Sequence, residues 1–362
     1  MHDADREFDE LAALTGALLS ALEALAFIGR RLNPPDLPAL LAAVGTPEDA
    51  LRESLQRMAA WQGQVVALRE PLEEAGLAVT SGFEELRAGV AAGDVMQAFR
   101  GLRHAPRAQE ALYPLAGLLP PVNRFFLEPG VRGDTALQAR FHAPAPHTGV
   151  MHAGGEPGAR GAFSLYVPEY YTADRTWPLV VALHGGSGNG RAFLWSWLRA
   201  ARSRGAIVVA PTAAGQTWAL TGPDFDTPNL AHIVGEIGAR WNLDRRRLLL
   251  TGMSDGGTFS YVSGLEPTSP FTHLAAVAAA FHPMLAQAAD GDRLRGLPIQ
   301  VVHGARDWMF PVDMARAAVD ALEAAGADVA YREIEDLAHT YPVEMSGHIL
   351  EWLALTPRPA PG

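Results

Sequence analysis

The sequence predicts an α/β protein: a doubly wound, mostly parallel sheet preceded by an all-α N-terminal helical region. Three observations carry this. In the second half, short apolar runs read as buried strands at Trp177–Leu183, Leu248–Leu250, Ala275–Ala280, Leu297–Val302 and Val329–Ile334, with room for helices between them. In the first 120 positions, leucines recur instead at three- and four-residue spacing, the signature of amphipathic helices. Between the two, Leu119-Pro120-Pro121 and Glu128-Pro129-Gly130 punctuate the chain. The expected division is a helical domain over 1–125 and a sheet domain over 126–362.

The helical elements follow in order. Leu11, Leu14, Leu18, Leu22 and Leu25 form one stripe, which Asn33-Pro34-Pro35 ends. The run Leu11–Gly29 raises the question of a membrane span. Glu23 and many alanines favour an amphipathic bundle helix, so no span is expected. Thr46-Pro47-Glu48-Asp49 opens a second helix, with a capping residue, proline in the first turn and acids near the positive helix end. Its stripe is Leu51, Leu55, Met58, Val65 and Leu68. Shorter helices are expected at Phe83–Ala92, Val95–Leu102 and Gln109–Leu118. Two or more strands between about Leu137 and Val167 should lead into the sheet.

Composition narrows the function. A formal charge of −11 disfavours nucleic acid and anionic membrane surfaces as partners. Zero cysteines remove disulfide frameworks, cysteine nucleophiles and thiolate metal sites. The opening Met1–Glu7 is acidic where a secretory leader needs a basic segment, so a cytoplasmic location is expected.

The most informative segment is Gly252-Met253-Ser254-Asp255-Gly256-Gly257, a G-x-S-x-G pattern after an apolar run. In a strand–turn–helix context this pattern holds a serine hydroxyl out on a sharp bend. A serine hydroxyl is a weak nucleophile until a base reaches it and an acid orients the base. Asp307 lies just past the strand ending at Val302, and His339 just past the strand ending at Ile334. That is the chain order serine, acid, histidine, with every member at a strand's carboxyl end, where open α/β sheets bind ligands. Upstream, Trp177–Leu183 runs into His184-Gly185-Gly186-Ser187-Gly188-Asn189-Gly190. A tetrahedral oxyanion needs preorganised N–H donors, here assigned to Gly186, helped by Gly185, and to Asp255. The glycine-rich turn is no phosphate-binding loop, because it lacks the Gly-Lys-Ser/Thr ending and the chain has no lysine.

Four segments carry a resemblance: Leu183–Gly186, Leu250–Gly257, His303–Pro311 and Ala338–Pro342. Residues from about 160 to 355 resemble an α/β-hydrolase, in particular the bacterial carboxylesterase/phospholipase and polyhydroxyalkanoate-depolymerase-like esterases. The resemblance implies a Ser254/His339/Asp307 triad and hydrolysis of small-molecule carboxylic esters through an acyl-enzyme, with no cofactor and no metal. Lysophospholipids, thioesters and acyl transfer remain compatible with the same machinery. So does, from a different class, a non-catalytic binding protein of this fold. Glu335 and Asp336 rival Asp307 as the acid but sit in the same loop as His339. His184 and His303 read as structural. His142, His147 and His152 match no standard zinc spacing. Gly185, Trp218 and Trp308 are the expected substrate-binding positions, the two tryptophans because their loops lie on the predicted catalytic edge. The stretch between Ser254 and Asp307 is too short for a cap domain, so residues 8–120 are expected either to border the acyl pocket or to form a homo-oligomer contact.

Overall fold

The computed structural model describes residues 3–358. The chain divides into two compact units, Met1–His142 and Ala143–Gly362.

The first unit is helical. Its opening helix, Asp3–Arg30, buries Leu14, Leu18, Leu22, Leu25 and Ile28. By length and composition this helix could cross a membrane, with a mean hydropathy of 2.0 over its most apolar window, 44% of which is buried inside the protein. The helix opened by Pro47 stops at Met58. Gly63 takes a left-handed φ of 65°, and a 3₁₀ segment, Gly63–Leu68, carries Val65 and Leu68 on a separate element. The expected single stripe is thus two. The next helix is Arg69–Ala92, longer than the expected Phe83–Ala92. Gly76 and Gly82 lower helix propensity there, but tertiary contact overrides them. A Cβ on Gly76 would meet the Leu55 side chain at 2.7 Å, and one on Gly82 the Gly101 carbonyl at 3.0 Å.

Pro120-Pro121 begins a helix, Pro120–Phe125, rather than closing the unit. Proline suits a first turn because its missing N–H has no partner there anyway. Val122, Phe126 and Leu127 are fully buried, which draws the helical unit out to residue 142. Leu137 lies in a short helix, Thr135–Ala139, capped by the Asp134 side chain, so the strands expected from Leu137 begin only at Gly149.

The second unit is an eight-stranded sheet: β1 (Gly149–Ala153), β2 (Phe163–Val167), β3 (Trp177–Leu183), β4 (Ile207–Pro211), β5 (Leu243–Met253), β6 (His273–Val277), β7 (Pro298–Gly304) and β8 (Asp328–Ile334). The spatial order is β1-β2-β4-β3-β5-β6-β7-β8. β2 is antiparallel to both its neighbours, and every later pair is parallel. Val180 to Leu183 in β3, and Leu249 and Leu250 in β5, are fully buried, as expected where both faces of a parallel sheet are covered. The chain steps outward from β3 to β4, then returns to place β5 on the other side of β3. That reversal opens a crevice at the carboxyl ends of β3 and β5.

Candidate active site

Ser254 sits at that crevice. It joins β5 to the helix Asp255–Gly264 with φ 55° and ψ −121°, a region few non-glycine residues enter. Its N–H donates to the Val277 carbonyl at 2.9 Å and its own carbonyl accepts from Thr258 N–H at 2.8 Å, so both sides of the bend are pinned. The flanking glycines have a steric cause. A Cβ on Gly252 would collide with the backbone of Gly256, and one on Gly256 would lie 2.5 Å from the carbonyl oxygens of Leu183 and His184.

Asp307 follows β7. Its Oδ1 accepts from the N–H groups of Met309 (2.9 Å) and Phe310 (2.8 Å), and its Oδ2 lies 2.8 Å from His339 Nδ1. Burial alone would push the Asp307 carboxyl up. The hydrogen bonds from His339 and from the Phe310 and Met309 amides outweigh it and hold the group below the ordinary carboxylate range. With Nδ1–H donated to Asp307, His339 presents Nε2 to Ser254 Oγ at 3.0 Å. Three residues from three loops thus form one continuous hydrogen-bonded line. Glu335 and Asp336 are exposed, and His339 Nδ1 faces Asp307 instead. Phe310 and Trp308 stand edge-on to the imidazole, at centroid distances of 5.2 and 6.1 Å.

The glycine loop after β3 lies against the serine. A Cβ on Gly185 would be 3.5 Å from Ser254 Cβ, and one on Gly186 2.8 Å from Asp255 Oδ2. Among the described residues the N–H groups of Gly186 and Asp255 have no hydrogen-bond partner. Asp255 is the first residue of its helix, where an unpaired N–H and the helix dipole both favour a negative ligand.

The two remaining histidines of these loops are scaffolding. His184 Nε2 accepts from Ala213 N–H at 3.1 Å, so its proton is on Nδ1, which bonds the Gly185 carbonyl at 2.7 Å. Burial pulls its pKa down to about 4, against the opposing effect of that hydrogen bond. His303, fully buried, donates from Nε2 to the Phe310 carbonyl at 2.8 Å, with Asp307 Oδ2 at 3.4 Å. It ties together the ends of the turn that carries the acid.

The two tryptophans part company. Trp308 is 46% exposed beside His339. Trp218 is buried, stacks on Phe259 and donates its indole N–H to the His184 carbonyl at 2.7 Å. It therefore props the glycine loop from behind rather than walling a pocket. Nothing in the sequence marks Thr217, whose hydroxyl donates to Asp255 Oδ2 at 2.6 Å. A lone threonine in a loop carries no periodic or motif signal.

A serine on a strained bend after β5, an acid after β7, a histidine after β8 and an antiparallel β1–β2 entry decide the architecture. The second unit has the α/β-hydrolase fold.

No model of a known protein family matches the chain. A curated relative, the bifunctional acetylxylan esterase/xylanase of Neocallimastix patriciarum, is 30% identical over 158 residues, which make up 42% of this chain and 22% of that protein. The chain thus spans under a quarter of that relative's length. Among solved structures, a thermostable esterase is 22% identical at a TM-score of 0.45, over 54% of this chain and 59% of its own. A CE1 ferulic acid esterase from Anaeromyces mucronatus is 16% identical at a TM-score of 0.43, over 57% and 88%. A fluorophosphonate-binding serine hydrolase of Staphylococcus aureus is 13% identical at a TM-score of 0.46, over 56% and 96%.

Proposed function

We propose that the protein is a serine hydrolase that cleaves carboxylic esters through an acyl-enzyme on Ser254. The observation that carries this is the unbroken line Ser254 Oγ–His339–Asp307 at 3.0 and 2.8 Å. His339 Nε2 takes the hydroxyl proton as Ser254 Oγ attacks the ester carbonyl carbon. The oxyanion that forms is met by the free N–H groups of Gly186 and Asp255. Collapse breaks the bond to the alkoxide, which leaves as the alcohol with the proton from His339. Water then attacks the acyl-enzyme, with His339 again as base, and releases the acid. Asp307, held ionised, keeps the imidazole in the Nδ1–H tautomer and stabilises its transient positive charge.

The chemistry is assigned to the sheet domain. The curated relative's name, an acetylxylan esterase, favours a short acyl group on a hydroxylated alcohol over a long lipid chain.

A fluorophosphonate probe tests the reading. Covalent labelling of the native protein, lost in Ser254→Ala, is the expected result. An intact protein that stays unlabelled would mark a non-catalytic binder. A chain-length series of p-nitrophenyl esters then separates acetyl from long-acyl preference. Because His339 must be neutral to accept the proton, kcat/KM should rise with pH on its acid limb, and a flat profile from about pH 5 to 9 would remove His339 as base.

A further inference from the structure

The Asp255 side chain is unexplained by this chemistry. Only its backbone N–H serves the oxyanion, yet the carboxylate is held in place. Its Oδ2 accepts the Thr217 hydroxyl at 2.6 Å and lies against Gly186, where a Cβ would come within 2.8 Å of it. It thus stands beside one oxyanion donor and on the same residue as the other. Its Oδ1 has no hydrogen-bond partner, and Asp255 forms no ion pair among the described residues. The residue is half-buried.

Neither His184 nor Arg160 cancels it. His184, close enough to feel Asp255, is neutral at pH 7 because burial holds its pKa at about 4. Arg160 also acts on His184, but it is exposed and makes no ion pair with Asp255. A helix N-terminus favours a carboxylate, and that accounts for its stability there. It does not account for its place, since a fixed negative charge beside a developing oxyanion opposes the reaction it adjoins. Asparagine would accept the Thr217 hydroxyl without that cost.

We propose that Asp255 is a specificity-determining residue of this site: its carboxylate, fixed by Thr217, selects uncharged esters and rejects esters that bear a negative charge near the scissile bond. The inference rests on the serine-esterase reading. It names the substrate class as neutral acylated alcohols, with the free Oδ1 able to accept a hydrogen bond from a substrate hydroxyl. Acidic lipids and half-esters of dicarboxylic acids are excluded by repulsion, a negative element of the kind that specificity commonly needs.

Two pairs of esters test it at low ionic strength. p-Nitrophenyl butyrate against the p-nitrophenyl monoester of succinic acid puts the charge in the acyl half. Phenyl acetate against 4-carboxyphenyl acetate puts it in the leaving half. In each pair kcat/KM is read as a ratio, so a general gain or loss of rate in a variant cancels. The wild-type protein should disfavour the anionic member of at least one pair by roughly 10-fold or more, and Asp255→Asn should narrow that ratio about 10-fold. Thr217→Val, which frees the carboxylate but keeps its charge, should narrow it less. Asp255→Ser replaces Asp255→Asn if the latter is insoluble. Wild-type turnover of both anionic esters within about threefold of their neutral partners would overturn the proposal without any variant. So would ratios unmoved by Asp255→Asn. Failure of the esterase reading looks different: no turnover of either neutral ester and no fluorophosphonate label on Ser254, an outcome that removes this inference with it.

Discussion

The helical and the sheet unit handle awkward backbone differently. Between residues 3 and 142, every positive φ falls on glycine: Gly45, Gly63 and Gly93. Each costs little, because glycine has no Cβ to clash. The sheet unit also uses glycine there, from Gly149 to Gly326, but in addition puts side chains into positive φ at His147, Ser187, Ser254 and Ala278. Three of these follow the carboxyl ends of β3, β5 and β6. Such residues persist only where surrounding structure over-determines them. At Ser254 that structure is visible as the bonds to Val277 and Thr258 and the packing of Gly252 and Gly256. The helical unit is built for packing, with helices brought close where Gly82 meets Gly101 and Gly89 meets Ala98. In the sheet unit, stable strands hold strained loops at one edge. Chemistry should therefore respond to single atoms at that edge, and stability to volume in either core.

The sharpest separation is at the serine. Ser254→Ala and His339→Ala should each lower kcat for a p-nitrophenyl ester by roughly 10³-fold or more, with the melting temperature little changed. Asp307→Asn should cost somewhat less, while Glu335→Gln and Asp336→Asn leave the rate near wild type. The reverse pattern would move the acid role to the His339 loop. Gly186→Ala should lower kcat by about 10²-fold, because the new Cβ, 2.8 Å from a carboxylate that Thr217 holds, pushes the loop and its N–H away from the oxyanion. Circular dichroism should show the fold intact.

In the helical unit the same size of change should act on stability. Leu14→Ala, at a fully buried site, should cost about 2–5 kcal/mol in chemical denaturation, with the esterase rate per folded molecule retained. A loss of rate without loss of stability there would break the comparison.

The smallest effect is with acid. His184 and His273 are both held neutral by burial, with folded pKa values of about 4 against 6.5 in the unfolded chain. As pH falls below 6.5 the unfolded state takes up these protons first. The stabilisation is therefore complete above about 6.5 and is lost progressively down to about 4. Melting temperatures across that interval should fall, and should fall less if a polar uncharged residue replaces His273, whose ring bonds the Thr356 carbonyl.

Much of the sheet unit is legible because its constraints are local. A buried parallel strand must be an apolar run, a serine on a sharp bend needs glycines two positions either side, and the acid and base must follow strands in a set order. Residues 248–257, 297–307 and 329–339 carry those rules on their face. Glu335 and Asp336 share one loop with His339, which disfavours them as its partner, and the structure supplies the 2.8 Å contact to Asp307. The long helix Arg69–Ala92 was hidden because Gly76 and Gly82 lower local propensity, while their reason for being there is a distant side chain and a distant carbonyl. Leu137 lies in a stretch of only five residues, Thr135–Ala139, too short for its period to tell helix from strand. By itself the sequence determined the two-part organisation, most of the parallel strands and the three residues of the candidate triad, since each rests on period, spacing or chain order. Only the tertiary structure decided that Trp218 is a prop, that Thr217 holds Asp255 against Gly186 and that His303 braces the acid turn. Those contacts join positions far apart in the chain, and no local pattern of residue types records which side chains the sheet will bring together.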